Sequence, residues 1–404
     1  MQFDLVFEGG GAKGMAFVGA MREFEAAGHT IGRIIGSSAG AITATSLAAG
    51  YSAAEMLDAL TETAGGRPVF TTFLGDPPAP ADIEASALAE FFREVDVSRL
   101  PEWAEGRLEK RVLAALAGSD PGRKLLSFFD YGGFYSADAF VAWFERKLSE
   151  GKRRDGRPRD FGRMTFAEMH RATGIDLSLT ASDTTLNALL ILNHRTAPDL
   201  PVVWGTRMSM SFPLLWQEVV WREEWGNYHT LSRGRPVEVP MAGHALVDGG
   251  LLSNFPIELF VSRDDTVRNV MGDAAADEVV GFLIDERLPV PDAPPPEGGK
   301  ALPAKLGSLR TAKRIQGLID TMTQARDKMV IDENRHRVVR LPAKTYGTVE
   351  FGMVGLRRDA LINAAAGVTK EYFIRKEAGE LESLESMSTK ESDRIALDML
   401  DMGL

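Results

Sequence analysis

The chain has 404 residues, 44% of them hydrophobic and 25% charged, which is enough for a large core and for two or three domains. A formal net charge of −11 argues against nucleic-acid or anionic-membrane binding by the surface as a whole, leaving only local patches for such contacts. The lack of cysteine excludes a disulfide framework and gives no mark of an oxidising compartment.

Phe3-Asp4-Leu5-Val6-Phe7 reads as a strand and Met15 to Ala27 as an amphipathic helix, with Gly9-Gly10-Gly11-Ala12-Lys13-Gly14 between them. The Gly9, Gly11 and Gly14 spacing fits a dinucleotide fingerprint. The next strand, however, ends in Ile35-Gly36-Ser37-Ser38, with no acid for a ribose hydroxyl. A P-loop calls for Gly-Lys and then Ser or Thr, whereas Lys13 is followed by Gly14. The favoured reading is an oxyanion hole, in which Gly9, Gly10 and Gly11 expose backbone N–H groups to a tetrahedral intermediate.

Ile31 to Ile35 reads as a second strand and Ala39 to Ala49 as a helix, with Gly36-Ser37-Ser38-Ala39-Gly40 on the turn. Small flanking residues let the Ser38 hydroxyl stand exposed at a helix N-terminus, where the helix dipole stabilises developing negative charge. A lone G-x-S-x-G also describes an ordinary strand-to-helix turn, so its company decides. From about 52 to 150 the pattern is mainly helical, broken at Gly65-Gly66-Arg67-Pro68 and Gly75-Asp76-Pro77-Pro78. Two aromatic clusters fall here, Phe70 to Phe73 and Leu125 to Phe129, the second extended by Tyr131, Phe134 and Tyr135. Ordinary core is the default for these rings, and a lid that touches lipid is the functional reading. Lys152 to Arg163, with six Lys/Arg against two Asp, reads as a solvated basic linker.

Ile175 to Ala181 alternates like a strand, Leu189 to Asn193 fits its hairpin partner, and Glu278 to Ile284 is another core strand. The short apolar run Ala245-Leu246-Val247 delivers Asp248, followed by Gly249 and Gly250. This is either an Asp-Gly turn or a carboxylate presented at the same sheet edge as Ser38. Pro289 to Lys300 is a Pro/Gly linker. Ala304 to Val330 is helical in pattern, with a positive face from Lys300, Lys305, Arg310, Lys313, Arg314, Arg326 and Lys328. Packing on the sheet is its default role and attachment to acidic headgroups a second one. Residues 355–375 read as a further helix, and Glu377 onward as an acidic, partly ordered tail. The sequence shows no internal repeat and no metal-ligand cluster.

A base for Ser38 must come from His29, His170, His194, His229, His244, His336 or a carboxylate. The α/β-hydrolase order of serine, acid and histidine makes His336 the formal candidate. It lies in Asp332-Glu333-Asn334-Arg335-His336-Arg337, which reads as a solvated face. The α/β-hydrolase elbow also follows several strands, and Ser38 has room for two. A Ser38–Asp248 dyad fits better, with desolvation raising the Asp248 pKa towards a useful value.

Glu8-Gly9-Gly10-Gly11-Ala12-Lys13-Gly14, Gly36-Ser37-Ser38-Ala39-Gly40 and Asp248-Gly249-Gly250 together resemble, in order, the three signature blocks of the patatin-like phospholipases. Arg207-Met208-Ser209-Met210-Ser211-Phe212-Pro213 resembles the family's small-residue helix ending in Pro, and Leu251-Leu252-Ser253-Asn254-Phe255-Pro256 its Asn-x-Pro segment. The resemblance spans about residues 1–290. Lys13 matches the family's basic loop position, while Glu8 and Gly250 stand where other members carry Asp and Ala, differences that leave the mechanism undisturbed.

The resemblance implies an α/β fold, a three-layer α/β/α patatin-like sheet with helical insertions and a C-terminal helical extension. Its expected layout is a catalytic domain over 1–290 with an insertion at about 65–135, a linker at 291–300, and a mainly helical 301–404 with an acidic tail. It implies acyl-ester hydrolysis by Ser38 and Asp248, with Gly9, Gly10 and Gly11 as oxyanion hole and Lys13, Gly14, Gly36, Gly40, Gly249 and Gly250 in support. No metal or other cofactor is implied. The expected substrate is a fatty-acyl ester of a phospholipid or related glycerolipid met at a membrane interface; no nucleic-acid partner is expected. Some bacterial members are toxins that need a host activator, so a protein activator and secretion without a signal peptide stay open. The start resembles no signal peptide and no run approaches about 18 apolar residues, so a cytoplasmic, peripherally associating protein is expected. Rival readings are a storage or binding protein on the same fold and a nucleotide-binding oxidoreductase built on Gly9, Gly11 and Gly14.

Overall fold

The apolar runs of the sequence assemble into one sheet in a computed structural model that describes residues 1–77, 86–94, 111, 113–232, 234–276, 278–295, 334–381 and 389–403. Its strands are β1 (Gln2–Phe7), β2 (Thr30–Gly36), β3 (Asp176–Asp183), β4 (Ala188–Leu192), β5 (Val219–Val220), β6 (Ala245–Asp248), β7 (Glu278–Asp285) and β8 (Val338–Pro342). The spatial order is β8-β7-β1-β2-β3-β6-β5, with β4 also paired to β3. From β8 to β3 neighbours run parallel, whereas β4 and β6 are antiparallel to β3.

Side chains alternate across the sheet, as the two-residue period of a strand requires. Phe3, Leu5 and Phe7 enter one core with Ile34 and Phe282, while Val6, Ile35, Val279 and Leu283 enter a second core on the other face. The first face is covered by α1 (Ala16–Ala26), α2 (Ala39–Ala48) and some of the later helices, among which are α3 (Asp120–Tyr131), α4 (Asp138–Ser149), α5 (Val202–Ser209), α6 (Gly355–Glu377) and α7 (Thr389–Leu400). Phe17 and Phe24 of α1, Leu361 and Phe373 of α6, and Phe140 of α4 all belong to that first core. Ile395, Ala396 and Met399 of α7 belong to the second. The result is a mixed sheet between two helical layers, the α/β fold expected from the sequence.

Several expectations change. Within the acidic tail, α7 docks its apolar stripe against the second core. Strand β8 has no counterpart in the sequence reading, yet it extends the sheet beyond β7. The basic segment at 152–163 is not simply solvated, since Arg159 is buried, pairs with Glu55 at 2.8 Å and lies over the Tyr51 ring. Phe70 and Phe73 pack against Trp143 as ordinary core, whereas Leu125, Phe129 and Tyr131 of α3 are 38%, 47% and 48% exposed. The expected helix at 304–330 with its basic face lies outside the described residues. So do residues 296–300 of the linker, 382–388 of the tail, and 78–85, 95–110 and 112 of the insertion. Among the described residues no helix is long and apolar enough to cross a membrane.

Candidate active site

The register of β3 brings Ser38 and Asp248 together. On one side β3 pairs with β4; on the other its first half, residues 176–179, pairs with β2 and its last three residues pair with β6. Strands β2 and β6 therefore meet end to end along one edge of β3, with Thr180 at the junction. Chain leaving β2 reaches Ser38 two residues after Gly36, just where β6, running the other way, delivers Asp248 opposite Ala181.

The turn that carries Ser38 is tightly packed. A side chain on Gly36 would run into the backbone carbonyl of Gly40, and one on Gly40 into that of Phe7. Ser38 itself has φ 52° and ψ −118°, a conformation that L-residues rarely adopt and that is held only when the surroundings enforce it. Its hydroxyl does not cap α2 but donates to Asp248 Oδ2 at 2.7 Å. Its N–H donates to Ser209 Oγ at 3.0 Å. Beneath it, Ser37 Oγ donates to the Ser253 carbonyl at 3.1 Å and accepts from Thr180 Oγ1 at 2.7 Å.

Asp248 is buried, and its Oδ1 accepts the Gly250 N–H at 2.8 Å. Burial pushes its pKa up to about 7, against the pull of the hydrogen bonds from Ser38 and Gly250. Gly249 lies so close to Thr180 that a Cβ there would collide with it.

The glycine loop stands beside this pair. Glu8 anchors it, accepting the Ile284 N–H at 2.6 Å and the Asn254 Nδ2 group at 3.1 Å. Gly9 corrects one expectation: its N–H donates to the Asn254 carbonyl at 3.2 Å and is not free for an oxyanion. Gly9 instead leaves room for Ser38 and Asn254, since a Cβ would meet Asn254 Oδ1 and sit 3.0 Å from Ser38 Cβ. Among the described residues the N–H groups of Gly10 and Gly11 have no acceptor. Gly11 has φ +54°, and a Cβ on it would strike the Thr348 carbonyl. Lys13 is buried and paired with Glu286, and Gly14 lets the loop pack on Ala39 of the elbow.

No histidine joins the pair among the described residues. Val338, Gly281, Val6 and Ile35 are level across the sheet, so His336 lies before that level and Ser38 beyond it. Strand rise and spacing put them on the order of 20 Å apart. His336 is half-buried, and burial pushes its pKa down to about 4. His244 bonds Asp183 at 2.8 Å, His170 stacks on His194, and His29 sits among Phe3, Phe24 and Phe373.

The 207–213 segment holds a positioning residue whose role its sequence does not reveal. Arg207 is buried and donates to the carbonyls of Ser136 at 3.1 Å and Gln217 at 2.8 Å, and to Ser211 Oγ. Burial pushes its pKa down to about 10. The Ser211 carbonyl in turn accepts the Asp248 N–H at 3.0 Å. Arg207 thus ties the insertion that bears α3 to the strand end that bears Asp248. Asn254 was legible only as part of a motif, and Thr348 gave no signal.

The family model described as patatin-like phospholipase matches residues 5–261. The chain is 26% identical over 384 residues to the uncharacterized protein YqhO of Bacillus subtilis (strain 168), covering 93% of this chain and 99% of that one. Among solved structures, VipD from Legionella pneumophila aligns over 98% of this chain and 73% of its own, with 14% identity and a TM-score of 0.43. ExoU from Pseudomonas aeruginosa, solved in complex with SpcU, aligns over 93% of this chain and 52% of its own, with 16% identity and a TM-score of 0.36.

Proposed function

The chain belongs to the patatin-like phospholipase family, a family of lipid hydrolases, and from that premise we propose that it cleaves fatty-acyl esters of phospholipids or related glycerolipids through a Ser38–Asp248 dyad. The observation that carries the reading is the 2.7 Å hydrogen bond from Ser38 Oγ to a buried carboxylate whose pKa is pushed up to about 7. A carboxyl group of that pKa is ionised in part at neutral pH and basic enough to take a hydroxyl proton as a new bond forms.

In this reading Ser38 Oγ attacks the ester carbonyl carbon while its proton passes to Asp248 Oδ2. The carbonyl π-electrons move onto oxygen, and the N–H groups of Gly10 and Gly11 receive that oxyanion. Collapse of the intermediate breaks the ester C–O bond, and Asp248 returns the proton to the leaving alcohol. Water then attacks the acyl-Ser38 carbonyl, gives a proton to Asp248, and releases the fatty acid as Ser38 regains its hydrogen. The hydrogen bond from Gly250 and the strand pairing of β6 with β3 hold the carboxylate in place between the two half-reactions.

We propose further that residues 1–290 carry this chemistry, with β8 completing their sheet, and that lipid is met peripherally. The exposed Leu125 and Phe129, one helical turn apart on α3, with Tyr131, form the candidate contact with the bilayer interface. The test is labelling with a fluorophosphonate probe, followed by a panel of purified lipids scored for free fatty acid by mass spectrometry. Labelling of Ser38 that Ser38→Ala removes, together with fatty-acid release, is expected. Folded protein that neither labels nor releases fatty acid from any glycerolipid overturns the reading.

A further inference from the structure

We propose that a second pocket, at the opposite end of the sheet from Ser38, binds a phosphate-bearing ligand. The cavity measures about 340 Å³, and four arginines line it: Arg33, Arg263, Arg268 and Arg337. No Asp or Glu is among the described lining residues. In a chain of net charge −11, four guanidiniums turned to one cavity with no acid in its described wall is a local concentration of cations.

The four guanidiniums are not equally satisfied. Arg33 is buried and neutralised, pairing with Asp4 at 2.7 Å, donating to the Gly272 carbonyl at 2.8 Å and lying 4.3 Å from the Phe260 ring centre. Arg268 is drawn to Asp273 at 2.9 Å and to Asp265 at 3.6 Å. Arg337 has one long contact to Asn334 Oδ1, at 3.4 Å, and no carboxylate within ion-pair distance among the described residues. The side chain of Arg263 likewise has no ion-pair partner among the described residues. Burial lowers the pKa of Arg337; Glu278 opposes that, and Arg263 adds to it by repulsion. Glu278 itself is engaged by Lys376 at 2.9 Å.

Two unpaired guanidiniums that repel one another across a cavity are stabilised together by one multiply charged oxyanion. A phosphate group suits them because its oxygens match the planar, forked donors of arginine, often two bonds at a time. Leu259, Phe260 and Val261 supply an apolar wall for whatever the phosphate is attached to. The ester cut at Ser38 cannot be the occupant in the same binding event. Arg33 is the middle residue of β2 and Ser38 lies five residues further on, beyond the end of the strand, roughly 16 Å away by strand rise. The site therefore stands apart from the dyad and does not depend on its role.

A soluble phosphomonoester and a lipid headgroup share this chemistry, and the experiment separates them. Full-length protein is titrated with glycerol 3-phosphate by calorimetry. It is also floated with phosphatidylcholine vesicles that contain or lack phosphatidic acid. Saturable binding of glycerol 3-phosphate assigns a soluble ligand; binding confined to vesicles with phosphatidic acid assigns a headgroup. In either case Arg263→Gln with Arg337→Gln should weaken binding by about tenfold or more, as loss of charge-assisted bonds does. The ligand-free melting temperature of that double variant should be unchanged or higher, because the repulsion is gone. No binding to either probe, or binding that the double variant leaves intact, overturns the proposal. A markedly lower melting temperature also overturns it, since the two arginines would then be structural.

Discussion

The backbone N–H of Ala12 donates to the carbonyl of Thr348 at 2.8 Å, so the loop after β1 is held from outside by the segment that follows β8. The same carbonyl closes the space beside Gly11, and this separates two substitutions that the sequence alone treats as equivalent.

Gly11→Ala should lose both activity and stability, because the new Cβ strikes a backbone carbonyl at a residue with φ +54°. Gly10→Ala meets only the tip of Ile284, a side chain that can move. It should keep most of its thermal stability while turnover falls on the order of 10²-fold, the usual cost of one oxyanion donor. Pairing Gly10→Ala with Ile284→Val relieves the clash and should bring turnover back towards wild type, because the N–H itself is kept. Wild-type ester hydrolysis in Gly10→Ala would remove its N–H from the chemistry.

Ser38→Ala and Asp248→Asn should each lower turnover by roughly 10³-fold or more, and the double variant should lose little beyond either one. Steady-state rates on a soluble ester read this directly. Additive losses would mean that the two groups act separately. His336→Ala should leave the rate unchanged, given its place at the far end of β8.

Two consequences of the Asp248 pKa can be read against pH. Turnover should rise as pH passes through about 7, as the base ionises, and then level off. Stability runs the other way. The folded pKa lies above the ordinary 3.8, so between these values the native state holds a proton that the unfolded chain has released. Stability from this group is thus full below about pH 4 and is lost as pH rises through about 7. Asp248→Asn abolishes that loss, and its melting temperature should exceed wild type most above pH 7. An offset that is the same at every pH would show that this carboxyl is not the titrating group.

The aromatic residues divide by exposure. Phe129→Ser with Tyr131→Ser should reduce hydrolysis of vesicles far more than of a water-soluble ester, with the melting temperature nearly kept. Phe73→Ser should instead unfold the protein at lower temperature, since truncating a buried Phe costs about 3–5 kcal/mol. Equal losses on both substrates from the α3 pair would place that face outside lipid contact.

What could be read from the sequence follows the physics of each element. Strands β1, β2, β3 and β7 are apolar runs bounded by turn residues, and each lies within two residues of its expected span. Strand β8 is five residues long and follows a densely charged run, so it carries little pattern of its own; its place comes from pairing with β7. The G-x-S-x-G turn was legible because sterics confine its residues to small ones. That Gly9 spends its N–H on Asn254 was not, because the acceptor arrives from a distant part of the chain. For the same reason Phe73 and Phe129 look alike in sequence: burial belongs to the assembled fold. Arg207 needs three partners to have meaning, and none of them is predictable from its neighbours.

The sheet order also bears on how the protein is made. Strand β1 lies between β2, synthesised almost at once, and β7, which begins at Glu278. At roughly 5–20 residues per second, one hydrogen-bonding edge of β1 stays open for on the order of 15–55 s while the ribosome works towards its partner. Such an edge is a template for wrong pairing. Nascent chains arrested before β7 should therefore be protease-sensitive and bound by chaperones, and slow elongation should favour aggregation over yield.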